Sequence, residues 1–441
     1  MRPKSFMLIA GEASGDTLAA ELVMALSPAL TGVEAKATTD LQPLRASLKP
    51  KFFGAGGPKM AAAGVELAFD LTAHAVVGIS EVLRNYGKFR RFFKQLLVLA
   101  SQRQPDVIVL VDYPGFNLRF AKAIKRHVQS RLGSFANWNP KIVCYVSPQL
   151  WAWHESRVHQ IARDVDLMLS IFPFEKEWYA KRAPELRVQY VGHPLVDRYP
   201  NAGRGAEATA IKLSQPMQDR VFSLPSLSGE RAEQRSLTIP TPLLLLLPGS
   251  RARELNEHLP VMVEAAERIA GSRPIRAQIV LPNRDLAQHA QRYVPARLNL
   301  VVTSSGLEKA LREAEVAIAS SGTVTMECAF FGVPTVVIYK ASWSNYWLAK
   351  QFLKVKFLAM PNLLANEEVY PEHIQQEATA ERIAEEALNL LNDGSRRSAI
   401  KTKLRTVVQS LGPPGASFRA AQAIVNLWVE QGTVKLPPSG E

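Results

Sequence analysis

A carboxylate that closes a buried apolar run is placed to take a proton. Pro105-Asp-Val-Ile-Val-Leu-Val-Asp112 has that form, and Tyr113-Pro114-Gly115 forces a turn directly after it. Phe116 and Asn117 then lead into an expected helix over 118–130. Ligand sites in open parallel sheets gather at the carboxyl ends of strands. Asp112 can therefore serve as general base toward a hydroxyl nucleophile; a helix cap or turn former would carry the same residue. A second cluster, Gly11-Glu12-Ala13-Ser14-Gly15-Asp16, follows the apolar run 5–10. Its small residues admit a ligand or a neighbouring backbone. It lacks the G-x-G-x-x-G spacing, and its two carboxylates repel phosphate, so it reads as a sugar or acceptor contact. Asp16 reads equally well as an N-cap.

The third cluster suits an anion. Val316 to Ala319 is a short buried strand, Ser320-Ser321-Gly322-Thr323 a small polar turn, and the residues from Val324 to Phe331 suit a helix that Gly332 stops. The free N–H groups and positive dipole end at such a helix start favour a diphosphate. Glu327, one turn beyond Thr323, can accept hydrogen bonds from a ribose diol. An ordinary capped crossover would look the same. Leu243 to Leu247 and Pro248-Gly249-Ser250-Arg251 repeat the strand-then-small-turn pattern, and Arg251 can grip a diphosphate bidentately.

Strands and helices alternate along most of the chain, which predicts an α/β fold of two doubly wound, Rossmann-like domains facing across a cleft. The first spans 1–198 and the second 241–415, with a helix over 416–431 that packs back on the first. The polar stretch 199–240 reads as a linker or insertion, and 33–50 as an insertion of low order. The donor cradle falls in the second domain and the candidate base in the first.

The 441 residues carry a formal charge of +13, which attracts polyanions. Nucleic acid, an anionic lipid surface and a phosphorylated substrate all fit; the absence of zinc-finger spacing and of RNA-binding aromatic signatures disfavours the first. Cys144 and Cys328 lie far apart in apolar surroundings, so neither a disulfide framework nor a metal set is expected, and a reducing cytoplasm suits them. The N-terminal apolar run is too short for a signal peptide, and no stretch approaches the ~20 apolar residues of a spanning helix. From Arg84 to Gln102, Tyr86, Phe89, Phe92, Phe93, Leu96 and Leu97 alternate with Arg84, Lys88, Arg90, Arg91 and Lys94. Such a basic amphipathic stretch can lie on an anionic membrane, or can be a core-facing helix with a solvated basic face.

Taken together, Gly11-Glu-Ala-Ser-Gly-Asp16, Asp112-Tyr-Pro-Gly-Phe-Asn117, Tyr145-Val-Ser-Pro148 with Trp151-Ala-Trp153, Phe172-Pro-Phe-Glu175, Gly192-His-Pro194, Leu247-Pro-Gly-Ser-Arg251, Ser321-Gly-Thr323 with Glu327-Cys328, and Pro361-Asn-Leu-Leu364 resemble the lipid-A-disaccharide synthase family. The ordered set runs along about nine-tenths of the chain. The resemblance implies a GT-B glycosyltransferase that joins UDP-2,3-diacylglucosamine to 2,3-diacylglucosamine 1-phosphate (lipid X) and releases UDP. It implies Asp112 as base, Arg251, Ser321, Gly322, Thr323, Glu327 and Asn362 around the donor, and Glu12, Ser14, Asp16 and Asn117 lining the acceptor side. Arg84, Phe89, Arg90, Arg91, Phe92 and Phe93 match its membrane-contact region, on the cytoplasmic face of the inner membrane. The resemblance also implies a homodimer, for which no stretch of this chain speaks by itself. No cofactor, catalytic metal or nucleic acid is expected. His154 departs from the family's usual Arg at that place, with Arg157 nearby. Another UDP-N-acetylglucosamine transferase or epimerase of the same fold, or a non-catalytic nucleotide-binding protein, would share the cradle.

Overall fold

The computed structural model describes residues 4–37, 49–74, 86–131, 137–152, 155–200, 241–340 and 355–432. The chain divides into two units, one running up to Arg198 and resuming from Gln409, the other containing Tyr199 to Ala341 and Lys356 to Val408.

The first unit is built on seven parallel strands: β1 (Ser5–Ala10), β2 (Lys51–Gly56), β3 (Glu66–Asp70), β4 (Val107–Val111), β5 (Lys141–Tyr145), β6 (Leu167–Ser170) and β7 (Val188–Tyr190), in the order β3-β2-β1-β4-β5-β6-β7. The sequence Val-Ile-Val-Leu-Val of β4 is buried throughout, as a central parallel strand covered on both faces must be. On one face Met7, Ile9, Ile108 and Leu110 pack with Phe116, Phe120 and Ile124 of the helix Pro114–Gln129. The alternate residues Phe6 and Leu8, also fully buried, point to the other face.

The second unit repeats the plan with six parallel strands: β8 (Leu243–Leu247), β9 (Arg276–Val280), β10 (Leu300–Thr303), β11 (Ala314–Ser320), β12 (Thr335–Tyr339) and β13 (Glu372–Ile374), in the order β10-β9-β8-β11-β12-β13. In both sheets the strand order reverses beside the first strand of the unit, between β1 and β4 and between β8 and β11. Ala10 pairs with Val111 and Ala319 with Leu247. The four turns singled out from the sequence thus flank the two reversal points, where doubly wound sheets take their ligands.

Some expectations are corrected. The first helix runs Ala13–Ala37, not 17–30, so Ser14, Gly15 and Asp16 lie on its first turn, and residues 33–37 of the supposed insertion are helical. Residues 38–48 and 201–240 lie outside the described residues, as do Arg84, Trp153, His154 and the helix expected over 344–354. The edge strands β3 and β13 were not expected, because a half-exposed edge needs no continuous apolar run.

The helix Ala416–Gly432 belongs to the first unit. Its Arg419 Nε donates to Val191 O at 2.7 Å, its Glu430 pairs with Arg187 at 2.7 Å, and Lys4 sits over the Trp428 ring, 4.4 Å from the centroid. Asp197 accepts the backbone N–H of Ser417 at 3.0 Å. Beside this join His193 is buried, its ring Nδ1 accepting the Leu195 N–H at 3.2 Å and its backbone N–H donating to Leu411 O at 3.1 Å. Burial, aided by Arg198, pushes its imidazole down to about 4.

An unfolded imidazole takes its proton near 6.5, whereas this buried one waits until about 4. Its contribution to stability is therefore whole above about pH 6.5 and drains as pH falls toward 4. Urea midpoints across that window should fall for the native chain, and the slope should flatten in His193→Asn; an equal slope in both would remove His193 as its source.

Candidate active site

In the first unit the turns after β1 and β4 are built against each other. Gly11 lies under the Tyr113 ring, where a Cβ would come within 2.2 Å of a ring carbon, so only glycine lets the aromatic lie flat there. Gly15 faces the strand end, its Cβ position 3.8 Å from Asp112 Cβ. Asp112 and Tyr113 both adopt φ of 50°, in the left-handed region that non-glycine residues rarely enter. Two bonds hold that conformation: Asp112 N–H donates to Tyr145 O at 2.9 Å, and Asn117 Nδ2 donates to Asp112 O at 2.7 Å. The buried Asn117 amide also lies 3.3 Å from both Ile9 O and Val111 O, tying the ends of β1 and β4 together. Asn117 therefore lines nothing; it shapes the strand end that carries Asp112.

Asp16 has a similar part. Its buried carboxylate accepts the N–H groups of Gly57 (2.8 Å), Lys59 (3.0 Å) and Met60 (3.0 Å), capping the helix Pro58–Ala62 after β2. Both oxygens are engaged by the backbone of that other helix, so the expected N-cap of its own helix is corrected: that helix begins at Ala13 and Asp16 lies within its first turn. Glu12 and Ser14 are half-exposed beside Asp112's turn, and Glu12 O accepts the Asp16 N–H at 2.8 Å.

In the second unit Gly322 and Thr323 are exposed at the start of the helix Thr323–Phe330, and no side chain caps Gly322. Ser321 Oγ donates to Leu358 O at 3.2 Å, and Thr325 Oγ folds back onto Gly322 O at 2.7 Å. Glu327 accepts the Tyr199 hydroxyl at 3.2 Å. Across the reversal point, Gly249 adopts φ of 123°, and Glu254 closes the turn. Its Oε2 accepts the Ser250 N–H at 2.8 Å and its Oε1 holds the Arg251 guanidinium at 2.7 Å. Asn362 is buried rather than presented: its amide donates to Tyr370 O (2.7 Å) and Glu372 (2.8 Å), and its oxygen accepts the N–H groups of Val369 and Tyr370. It staples the 369–372 segment and acts on any ligand only through that backbone.

The sequence reading missed His258. This buried imidazole lies 2.9 Å from Pro248 O through Nδ1, and its Nε2 accepts the Lys340 N–H at 3.1 Å. A neutral ring protonated on Nδ1 satisfies both contacts. It joins the turn after β8 to the end of β12 across 82 residues of sequence, a link no local pattern announces. Glu254 carried a usable signal, the N3 glutamate spacing of a capping box.

The helix Tyr86–Arg103 turns its phenylalanines inward. Phe92 stacks on Phe69 at 4.5 Å, and Phe93 meets Phe116 and Phe120 edge-on at 5.4 and 5.7 Å. Phe89 also packs against the core, leaving Lys88, Arg90, Arg91 and Lys94 on the exposed side. Among the described residues no helix is long and apolar enough to cross a membrane.

A profile of the lipid-A-disaccharide synthetase family matches residues 6–215 and 212–424. The lipid-A-disaccharide synthase of Myxococcus xanthus is 36% identical over 431 residues, covering 96% of this chain and 98% of its own. That of Nitrosococcus oceani is 37% identical over 424 residues, 95% of each chain. Among solved structures, S. aureus MnaA with UDP superposes at a TM-score of 0.57 with 10% identity, covering 99% of this chain and all of the other (100%). The Neisseria meningitidis UDP-GlcNAc 2-epimerase superposes at 0.54 with 11% identity, covering 98% and 100%. The glycosyltransferase of kitacinnamycin superposes at 0.52 with 18% identity, covering 97% and 99%. At such identities the structures share the GT-B fold alone.

Replacing His258 by leucine would strand the Pro248 carbonyl and the Lys340 N–H together. Each orphaned group costs about 1–3 kcal/mol, so His258→Leu should lower the urea midpoint of the second unit; an unchanged midpoint would show that the bridge carries no weight.

Proposed function

The chain belongs to the lipid-A-disaccharide synthetase family, and on that premise we propose that it joins UDP-2,3-diacylglucosamine to 2,3-diacylglucosamine 1-phosphate in one inverting displacement, with Asp112 as base. That it is a GT-B glycosyltransferase of lipid A biosynthesis follows from the family. The substrates and residue roles are the proposal.

The acceptor's 6-hydroxyl oxygen attacks the anomeric carbon from the face opposite the diphosphate. As the new C–O bond forms, the bond from the anomeric carbon to the phosphate oxygen breaks, and UDP departs with the electron pair. The hydroxyl proton passes to the Asp112 carboxylate. The observation that carries this reading is the setting of Asp112: a carboxylate at the reversal point of its sheet, on a backbone held left-handed by Tyr145 O and Asn117. An anchored base keeps its distance to an incoming hydroxyl. The departing diphosphate gathers negative charge. Arg251 and the exposed helix start at Ser321–Thr323 suit that charge, because their orientation is set before the reaction. Glu327 is the residue for the ribose diol. The fold shared with UDP-GlcNAc 2-epimerases carries no activity across, at 11% identity.

Both substrates carry acyl chains, so the enzyme must meet them at a bilayer. The basic outer side of the Tyr86–Arg103 helix and the net charge of +13 support docking on the anionic cytoplasmic face of the inner membrane. With Phe89, Phe92 and Phe93 turned to the core, this contact is electrostatic in the described residues.

Asp112→Asn should lower turnover of the two lipid substrates at least ~100-fold with UDP affinity nearly kept, while Arg251→Ala should weaken UDP binding about tenfold or more; normal turnover in the first, or unchanged binding in the second, removes the residue from its role. In flotation, the protein should rise with vesicles containing phosphatidylglycerol and not with phosphatidylcholine alone, and Arg90→Glu with Arg91→Glu should abolish it. Failure to bind either vesicle counts against the membrane reading.

A further inference from the structure

One carboxyl group near this site has no part in the reaction as derived. Glu175, in the first turn of the helix Pro173–Ala180, is 0% exposed. Its Oε1 accepts the indole N–H of Trp151 at 3.2 Å, and its Oε2 lies 3.4 Å from the Phe172 N–H. Phe174 of the same helix meets the Trp151 ring edge-on at 5.2 Å and 80°. One helix start therefore grips the indole by its polar edge and by its ring. A buried carboxyl is costly, and an apolar residue would fill the same space with less penalty, so its value lies in what it orients.

What it orients is the loop after β5. That loop leaves the strand through Val146 at φ of 72°, a strained conformation for a β-branched residue that persists only where its surroundings enforce it. The Tyr145–Val146 peptide is also the one whose carbonyl accepts the Asp112 N–H, while its own N–H donates to Leu169 O at 3.1 Å. If the loop relaxes, that peptide turns and the backbone beneath Asp112 moves with it. On the same strand, burial first and then the charges of Asp112 and Glu175 push the Cys144 thiol up.

We infer that Glu175 is a positioning residue for the transfer reaction: by fixing the Trp151 indole it holds the loop Ser147–Ala152 in the strained form that sets the peptide under Asp112. This rests on the reading of Asp112 as base. The ionised form serves best, since it offers acceptors to both N–H groups. Burial pushes Glu175 up to about 7, against the pull of Trp151, Phe172 N–H, Ser147 and Ser170. Of the other titratable groups around it, burial holds Cys144 and Tyr179 neutral and keeps His193, whose ring lies 5.4 Å from that of Phe172, below the usual imidazole range. The grip should therefore loosen as pH falls through neutrality.

The test is a double-mutant cycle on the full-length enzyme with the two lipid substrates, using Glu175→Gln, Trp151→Phe and the pair. Trp151→Phe keeps one aromatic ring while deleting the N–H donor and the fused second ring, so it carries the test even if position 175 tolerates no change. We expect each single variant to lose roughly 10- to 100-fold in kcat with donor KM nearly unchanged. The pair should be no worse than either alone, and the inflection of kcat near pH 7 should vanish in Glu175→Gln. Losses that multiply, or full kcat in a folded Trp151→Phe, would overturn the inference. A fully active Asp112→Asn would instead overturn the base assignment and leave the coupling between 175 and 151 intact, so the two failures are told apart.

Discussion

Two neighbouring parallel strands whose following helices leave toward opposite faces cannot close the space above their ends, and the rest of this molecule depends on that constraint. In the first unit the helix after β4 joins the core with Met7 and Ile9, while Phe6 and Leu8 bury on the other side. The gap this opens lies above the paired residues Ala10 and Val111. In the second unit the same reversal lies above Leu247 and Ala319. Such reversal points are where doubly wound sheets bring strand ends and helix starts together toward a ligand.

Chemistry demands more than a gap, and the two units supply it differently. Around Asp112 the backbone is bent into left-handed conformations and pinned by long-range bonds, which suits a group that must hold a position while a proton moves. Around Arg251 the turn is closed by its own glutamate, and the helix from Thr323 starts on a glycine that brings no side-chain cap of its own. The first arrangement stores strain to fix a carboxylate; the second fixes the orientation of a turn and a helix start.

The architecture was legible because parallel strands buried on both faces must be continuously apolar. Val107–Val111 and Leu243–Leu247 could hardly be anything else. The edge strands Glu66–Asp70 and Glu372–Ile374 escaped, since they are half-exposed and mixed in character. The turns that flank the reversals were found from their small residues, but the roles of Asp16, Asn117 and Asn362 were not, because each spends its side chain on distant backbone. His258 and Glu175 were invisible as structural residues for the same reason: their partners lie 82 and 24 positions away. Phe89, Phe92 and Phe93 of the Tyr86–Arg103 helix had two readings, and packing against the core with Phe69, Phe116 and Phe120 decides for the inward one.

The helix Ala416–Gly432 buries Ala420, Ala421, Ile424 and Val425 in the unit that begins with β1, beside the helix Ala13–Ala37. During synthesis, then, the earliest-made sheet keeps an uncovered apolar flank until more than four hundred residues have emerged. A nascent chain stalled short of Ala416 would carry that flank bare, a sticky surface that invites chaperones.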